Sequence, residues 1–164
     1  MNTECIFYLL LIYMVINTYT DMKWLITWNM LHYTLMIFSI PLYLYLHIPV
    51  INMVLIIIIN LVIGVLFRKV FSTYGAGDIK MQIVLGIYFS SMIPGVPHYI
   101  VIVLLHTLQH VLSVIITLFL IITRKVLQRD TIQFGKYVID SEGIRSPEAV
   151  PLLITTLCMH LIFL

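Results

Sequence analysis

Six long apolar runs, separated by short polar gaps, leave this chain few folds to adopt. The runs are Glu4–Thr20, Leu31–Leu46, Val50–Phe67, Ile79–Ile93, Tyr99–Ile122 and Val150–Leu164. None alternates polar with apolar: Met53-Val54-Leu55-Ile56-Ile57-Ile58-Ile59 is apolar on every side, which excludes the strand of a half-buried sheet or a membrane barrel. Helices satisfy all their backbone polar groups internally, so runs of this kind are predicted to be helices crossing a lipid bilayer. Composition closes off the soluble alternative. With 62% hydrophobic and 10% charged residues and a mean hydropathy of +1.09, the chain has too little polar surface to cover a core in water. The expectation is therefore an all-α, polytopic membrane protein of about six transmembrane helices in one domain, residues 1–164, with the lipid bilayer as its surroundings and no nucleic acid as partner. Several runs fall short of the roughly 20 residues that cross a typical bilayer, so tilt or local thinning is expected. Pro41 should kink or weaken the second helix.

The basic residues predict an orientation. Lys23 follows the first run; Arg68, Lys69 and Lys80 surround the gap after the third; Arg124, Lys125, Arg129, Lys136 and Arg145 follow the fifth. These are all nine Lys and Arg of the chain. The intervening gaps, around His47-Ile48-Pro49 and Pro94-Gly95-Val96-Pro97-His98, hold none. The excess of Lys and Arg on cytoplasmic loops then places the N-terminus outside and the charged gaps in the cytoplasm. Trp24, Trp28 and Tyr74 fall near the inner boundary, and Tyr45 and Tyr99 near the outer one, where amphipathic rings are enriched. The first run has no basic residue ahead of it and no small-residue cleavage pattern after it, so it is expected to be retained as a span. Cys5 and Cys158 lie far apart in apolar runs, which predicts core packing rather than a disulfide or zinc site.

Within this frame the stretch Tyr74-Gly75-Ala76-Gly77-Asp78-Ile79-Lys80 stands out, because it puts a carboxylate in a glycine-rich turn at the start of an apolar run. Such an aspartate either caps the helix or works as an acid. Glycines on both sides of Ala76 free the backbone and leave space for a second chain beside Asp78. A partner is available in Asp21, at the end of the first run, since the topology returns both residues to one membrane face. Two neighbouring carboxylates do not readily ionise together, and a pair sharing one proton suits peptide hydrolysis: one activates water while the other protonates the carbonyl. A helix N-terminus favours the anion at Asp78, and a helix C-terminus favours the acid at Asp21. Coupled titration keeps a pH profile alone from making that assignment.

Gly75-Ala76-Gly77-Asp78-Ile79-Lys80 resembles the G-x-G-D-x-K signature of the prepilin peptidase family, membrane aspartyl proteases that include preflagellin peptidases. Asp21-Met22-Lys23, with Asn29 eight positions on, resembles that family's first aspartate motif. Where the family usually has Ile-Pro before the Asn, this chain has Thr27-Trp28. The Pro-rich entry to the family's last helix has a loose counterpart in Ser146-Pro147-Glu148-Ala149-Val150-Pro151. Presenilin-type proteases share G-x-G-D but need more spans. The resemblance implies a short, peptidase-only form without the cytoplasmic insert and paired C-x-x-C motifs of the bifunctional enzymes, so N-methylation is not implied. It further implies a catalytic pair Asp21 and Asp78, with Gly75, Gly77, Lys80 and Asn29 shaping the site and no metal or other cofactor. The substrate class it implies is a type IV pilin-like precursor, whose basic leader is cut at the cytoplasmic face of the cell membrane just before a helix that stays in the bilayer.

Other polar residues have plainer expectations. His106 and His110 are four apart on one helical face, a possible metal-ligand spacing with no third ligand nearby, and are read as packing against a neighbouring helix. Asn60 and Gly64 read as helix-packing positions. Lys80 either biases the ionisation of Asp78 or anchors its helix at the interface. The segment Arg124–Glu148 balances five basic residues against Asp130, Asp140, Glu142 and Glu148, as a solvated connector would. A different class stays open: a non-catalytic small transporter or assembly factor that uses the aspartates as caps or ion ligands.

Overall fold

A computed structural model describes residues 3–24, 26–70, 75–93, 95–127, 132–134, 137–139, 144–145 and 148–163. Six helices fill most of it: α1 (Thr3–Trp24), α2 (Asn29–Tyr45), α3 (Val50–Val70), α4 (Ala76–Met92), α5 (His98–Val126) and α6 (Ala149–Phe163). Each of the six apolar runs becomes one of them, with boundaries that differ by at most four residues. Three helices, α1, α3 and α5, are long and apolar enough to cross a membrane. Helices α2 and α4 have 17 residues each and α6 has 15. Pro41 lies inside α2, which continues past it to Tyr45.

Helix α4 is the axis of the fold. Almost every side chain from Asp78 to Met92 is buried, and α4 packs against all five other helices. Around it α1 packs on α6, α6 on α5, α5 on α3, and α3 on α2. Small residues allow the closest of these approaches. A Cβ on Gly64 would come within 2.8 Å of Ile79 Cγ1, and one on Gly86 within 2.8 Å of Asn60 Nδ2. The α3–α4 seam therefore depends on two glycines and on Asn60, whose amide also bonds back to Ile56 O at 2.9 Å.

Between α1 and α2 the ring is held more loosely. The Tyr13 hydroxyl lies 2.7 Å from His32 Nδ1, with the two rings edge-on at 5.7 Å. Toward the far end of the same seam a cavity of about 760 Å³ opens, lined by Cys5, Ile6, Leu9, Phe38, Pro41, Leu42, Tyr45 and Tyr88. Cys5 is thus on the exposed side of α1 rather than in the core, because its helical face looks into this seam. The rest of the exterior is apolar too: Ile12, Ile37, Phe119 and Leu161 are 62%, 65%, 65% and 83% exposed. Water would not tolerate so continuous an apolar exterior; it is the surface of a membrane protein.

One element departs from the expected connector. After α5 the chain forms a small antiparallel meander, β1 (Ile132–Phe134), β2 (Tyr137–Ile139) and β3 (Ile144–Arg145). Ile132 pairs with Ile139, Phe134 with Tyr137, and Val138 with Arg145. The two apolar triplets flanking Gly135-Lys136 supply the reason, since a two-residue Gly-containing gap between short β-prone runs is a hairpin pattern.

Candidate active site

Asp21 and Asp78 lie at one end of the bundle, in the last turn of α1 and the first turn of α4. Each is 7% exposed. The charge of Asp21 acts on Asp78, and Glu148 acts on both. On α1, Asp21 ends a buried polar stripe with Tyr13 and Asn17, spaced four residues apart on one helical face. Along that stripe Asn17 Nδ2 donates to Tyr13 O at 2.9 Å, and Thr20 Oγ1 donates to Asn17 O at 3.0 Å.

Both carboxylates hold a backbone N–H at the start of a helix. The Gly75 N–H donates to Asp78 Oδ2 at 2.6 Å, a bond across the first turn of α4. Ala149 N–H, the first residue of α6, donates to Asp21 Oδ2 at 3.1 Å. Thr18 Oγ1 grips the same residue from the other side, donating to Ala149 O at 3.2 Å. Asp21 therefore sits at the C-terminal end of its own helix and at the N-terminal end of another. That removes the expected helix-end asymmetry between the two acids, because each now faces an N-terminus.

The glycines of the motif are filled differently from the expectation of an open space. A Cβ on Gly77 would lie 2.5 Å from Thr27 Oγ1, and one on Gly75 would lie 3.2 Å from Asp78 Oδ2. The room beside Gly77 is thus taken by the α1–α2 connection, which lies directly on the turn. Gly75 serves close approach of its own peptide to the carboxylate. Lys80 turns to α2, with Nζ 2.6 Å from Asn29 Oδ1 and 5.7 Å from the Tyr33 ring centre. It braces α4 against the start of α2, and Asn29 is the other half of that brace. Tyr74 lies outside the described residues, as do Arg129, Lys136, Asp130, Asp140 and Glu142 of the connector.

Four residues of this site, Glu148, Ser113, Gln109 and Gln82, carry no weight in the sequence reading. Glu148, only 6% exposed, receives Ser113 Oγ at 3.0 Å and Gln109 Nε2 at 3.4 Å, both from α5. Gln109 Oε1 in turn accepts from Gln82 Nε2 of α4. Gln82 follows Asp78 by four residues and was legible as a neighbour on the same face. Glu148 is concealed in the sequence by the acidic and basic residues around it, where it reads as one more connector charge.

The histidines lie elsewhere, between α3 and α5. His106 Nε2 is 3.2 Å from Asn60 Oδ1, and Phe67 stacks on the rings of His106 at 5.7 Å and His110 at 4.0 Å. Packing against a neighbouring helix describes them well. Among the described residues no three His, Cys, Asp or Glu side chains gather at metal-holding geometry. No family model, curated protein or solved structure matches this chain.

Proposed function

We propose that this chain is a membrane-embedded aspartyl endopeptidase with Asp21 and Asp78 as its catalytic pair. The observation that carries the reading is the placement of these two buried carboxylates, from helices far apart in sequence, at one end of a bundle whose exterior is apolar. Buried carboxylates are costly in such surroundings and are usually kept for a purpose. The chemistry they support needs no further group. The ionised carboxylate takes a proton from water, whose oxygen attacks the peptide carbonyl, while the protonated one donates to the carbonyl oxygen. Collapse of the tetrahedral intermediate breaks the C–N bond, and the proton first taken from water goes to the departing amine.

The substrate class follows from the resemblance of the two aspartate motifs to prepilin peptidases: a pilin-like precursor with a basic leader and a membrane helix. The six helices would all cross the cell membrane, with the N-terminus outside. Lys23, Arg68, Lys69, Lys80, Arg124 and Lys125 all fall at the same end of the bundle as the aspartates, which supports a cytoplasm-facing site.

A second reading has a specific observation behind it. Each aspartate bonds the N–H of a residue at a helix start, as a purely structural cap would. Asparagine caps about as well as aspartate but cannot carry a proton to and fro. Co-expression of a pilin-like precursor with wild type, Asp21→Asn or Asp78→Asn separates the two. The peptidase reading expects shortened product with wild type only, at equal membrane abundance of all three; cleavage surviving in either variant supports the caps.

A further inference from the structure

We infer that Glu148 is a positioning residue for the aspartate pair: tied to Gln109 and Ser113 of α5, it holds the first peptide of α6 against Asp21. The inference rests on the peptidase reading for its catalytic consequence, and on geometry alone for the tether.

Glu148 immediately precedes α6, and its carbonyl accepts the Leu152 N–H at 3.2 Å, so its backbone forms part of the first helical turn. An acidic side chain there ordinarily stays in solvent near its own helix end. This one turns away, is buried, and takes hydrogen bonds from two side chains on another helix. Burying a carboxylate is unfavourable unless hydrogen bonds compensate it, and an apolar residue would seat α6 against α5 at less cost. What an apolar residue could not do is fix the direction of the next peptide. That peptide is Ala149, whose N–H points at Asp21 Oδ2 and whose carbonyl takes Thr18 Oγ1. The chain of contacts continues through Gln109 to Gln82, one turn beyond Asp78 on α4. One polar network thus spans α4, α5, α6 and α1 and touches the elements that carry both aspartates. It decides where Asp21 aims its carboxylate, and small errors of aim are expensive in catalysis.

The sequence provides a clean probe, because Ala76 and Ala149 are its only alanines. Protein labelled with [15N]alanine in detergent micelles gives two amide signals, one from the Asp78 turn and one from the peptide bonded to Asp21. The test compares wild type with Asp21→Asn, which weakens the acceptor, and with the double variant Gln109→Leu/Ser113→Val, which cuts the tether from the α5 side. We expect the Ala149 amide proton to move upfield in both, while Ala76 holds its position in the α5 variant. The milder Gln109→Asn, shorter by one methylene, should move it in the same direction and covers the case in which the double variant does not fold.

In a cleavage assay the α5 variant should lose about ten- to a hundredfold in kcat with KM within about twofold, as expected for misaim without loss of binding. Glu148→Gln, whose amide oxygen can still accept from Gln109 while its NH2 donates to the Ser113 hydroxyl oxygen, should retain most activity, and Glu148→Leu should not. An Ala149 signal unmoved in either Gln109 variant overturns the tether, and so does one unmoved by Asp21→Asn. Equal damage from Gln and Leu at position 148 also overturns it, in favour of the charge. A wild type that cleaves no precursor sinks the peptidase reading instead, and the Ala149 signal still decides the tether.

Discussion

At the scale of single residues, the motif Gly75-Ala76-Gly77-Asp78 works by close approach more than by empty space. Gly77 is the sharpest case, since an added methyl would meet Thr27 Oγ1 at 2.5 Å and displace either the turn or the α1–α2 connection. Gly77→Ala is expected to lower cleavage by about tenfold or more through misplacement of Asp78. Adding Thr27→Ala removes the oxygen that clashes and should restore much of the lost rate. Cleavage assays on the single and double variants check this, and a double variant no better than Gly77→Ala would refute the contact. That Asp21, Asp78, Lys80 and Asn29 lie at one end of the bundle was legible in the sequence; the bond between Lys80 and Asn29 was not. Nor were the site's other partners: Thr27, Ala149 and Glu148 come from connections whose sequence carries no periodic signal, and only folding reveals which polar group they meet.

At the scale of elements, the helices could be read because each is encoded by a long uninterrupted apolar run, a signal that tertiary context seldom overrides. Even the fourth run, only 15 residues from Ile79 to Ile93, becomes the central helix. Its modest length is explained by burial, for it packs on five neighbours. The meander at 132–145 went unread because its strands are three, three and two residues long, too brief for alternation to build up. The Gly135-Lys136 gap was the one available cue. Helix α4 also carries a prediction. A larger residue at Gly64 would be driven into Ile79, so Gly64→Val should destabilise the bundle by about 1–3 kcal/mol, the usual cost of overpacking. Thermal denaturation in detergent reads this as a lowered midpoint; an unchanged midpoint would mean that α3 and α4 are not so tightly seated.

At the scale of the whole molecule, the basic residues of α1, α3, α4 and α5 lie at the same end of the bundle as the acidic pair. With Cys5 and Cys158 replaced by serine, a single cysteine at Val96 should react with an impermeant thiol reagent added outside intact cells. One at Leu127 should react only after permeabilisation. The reverse pattern would put the aspartates on the outer face and exclude a cytoplasmic leader as substrate. The most direct test of the central claim uses purified protein in liposomes with a membrane-inserted precursor, comparing wild type, Asp21→Asn, Asp78→Asn and the double variant. Groups that act as one unit are not additive when removed. Each single variant should abolish cleavage, the double should be no worse, and all four proteins should melt at similar temperatures. Measurable turnover in either single variant would contradict the claim.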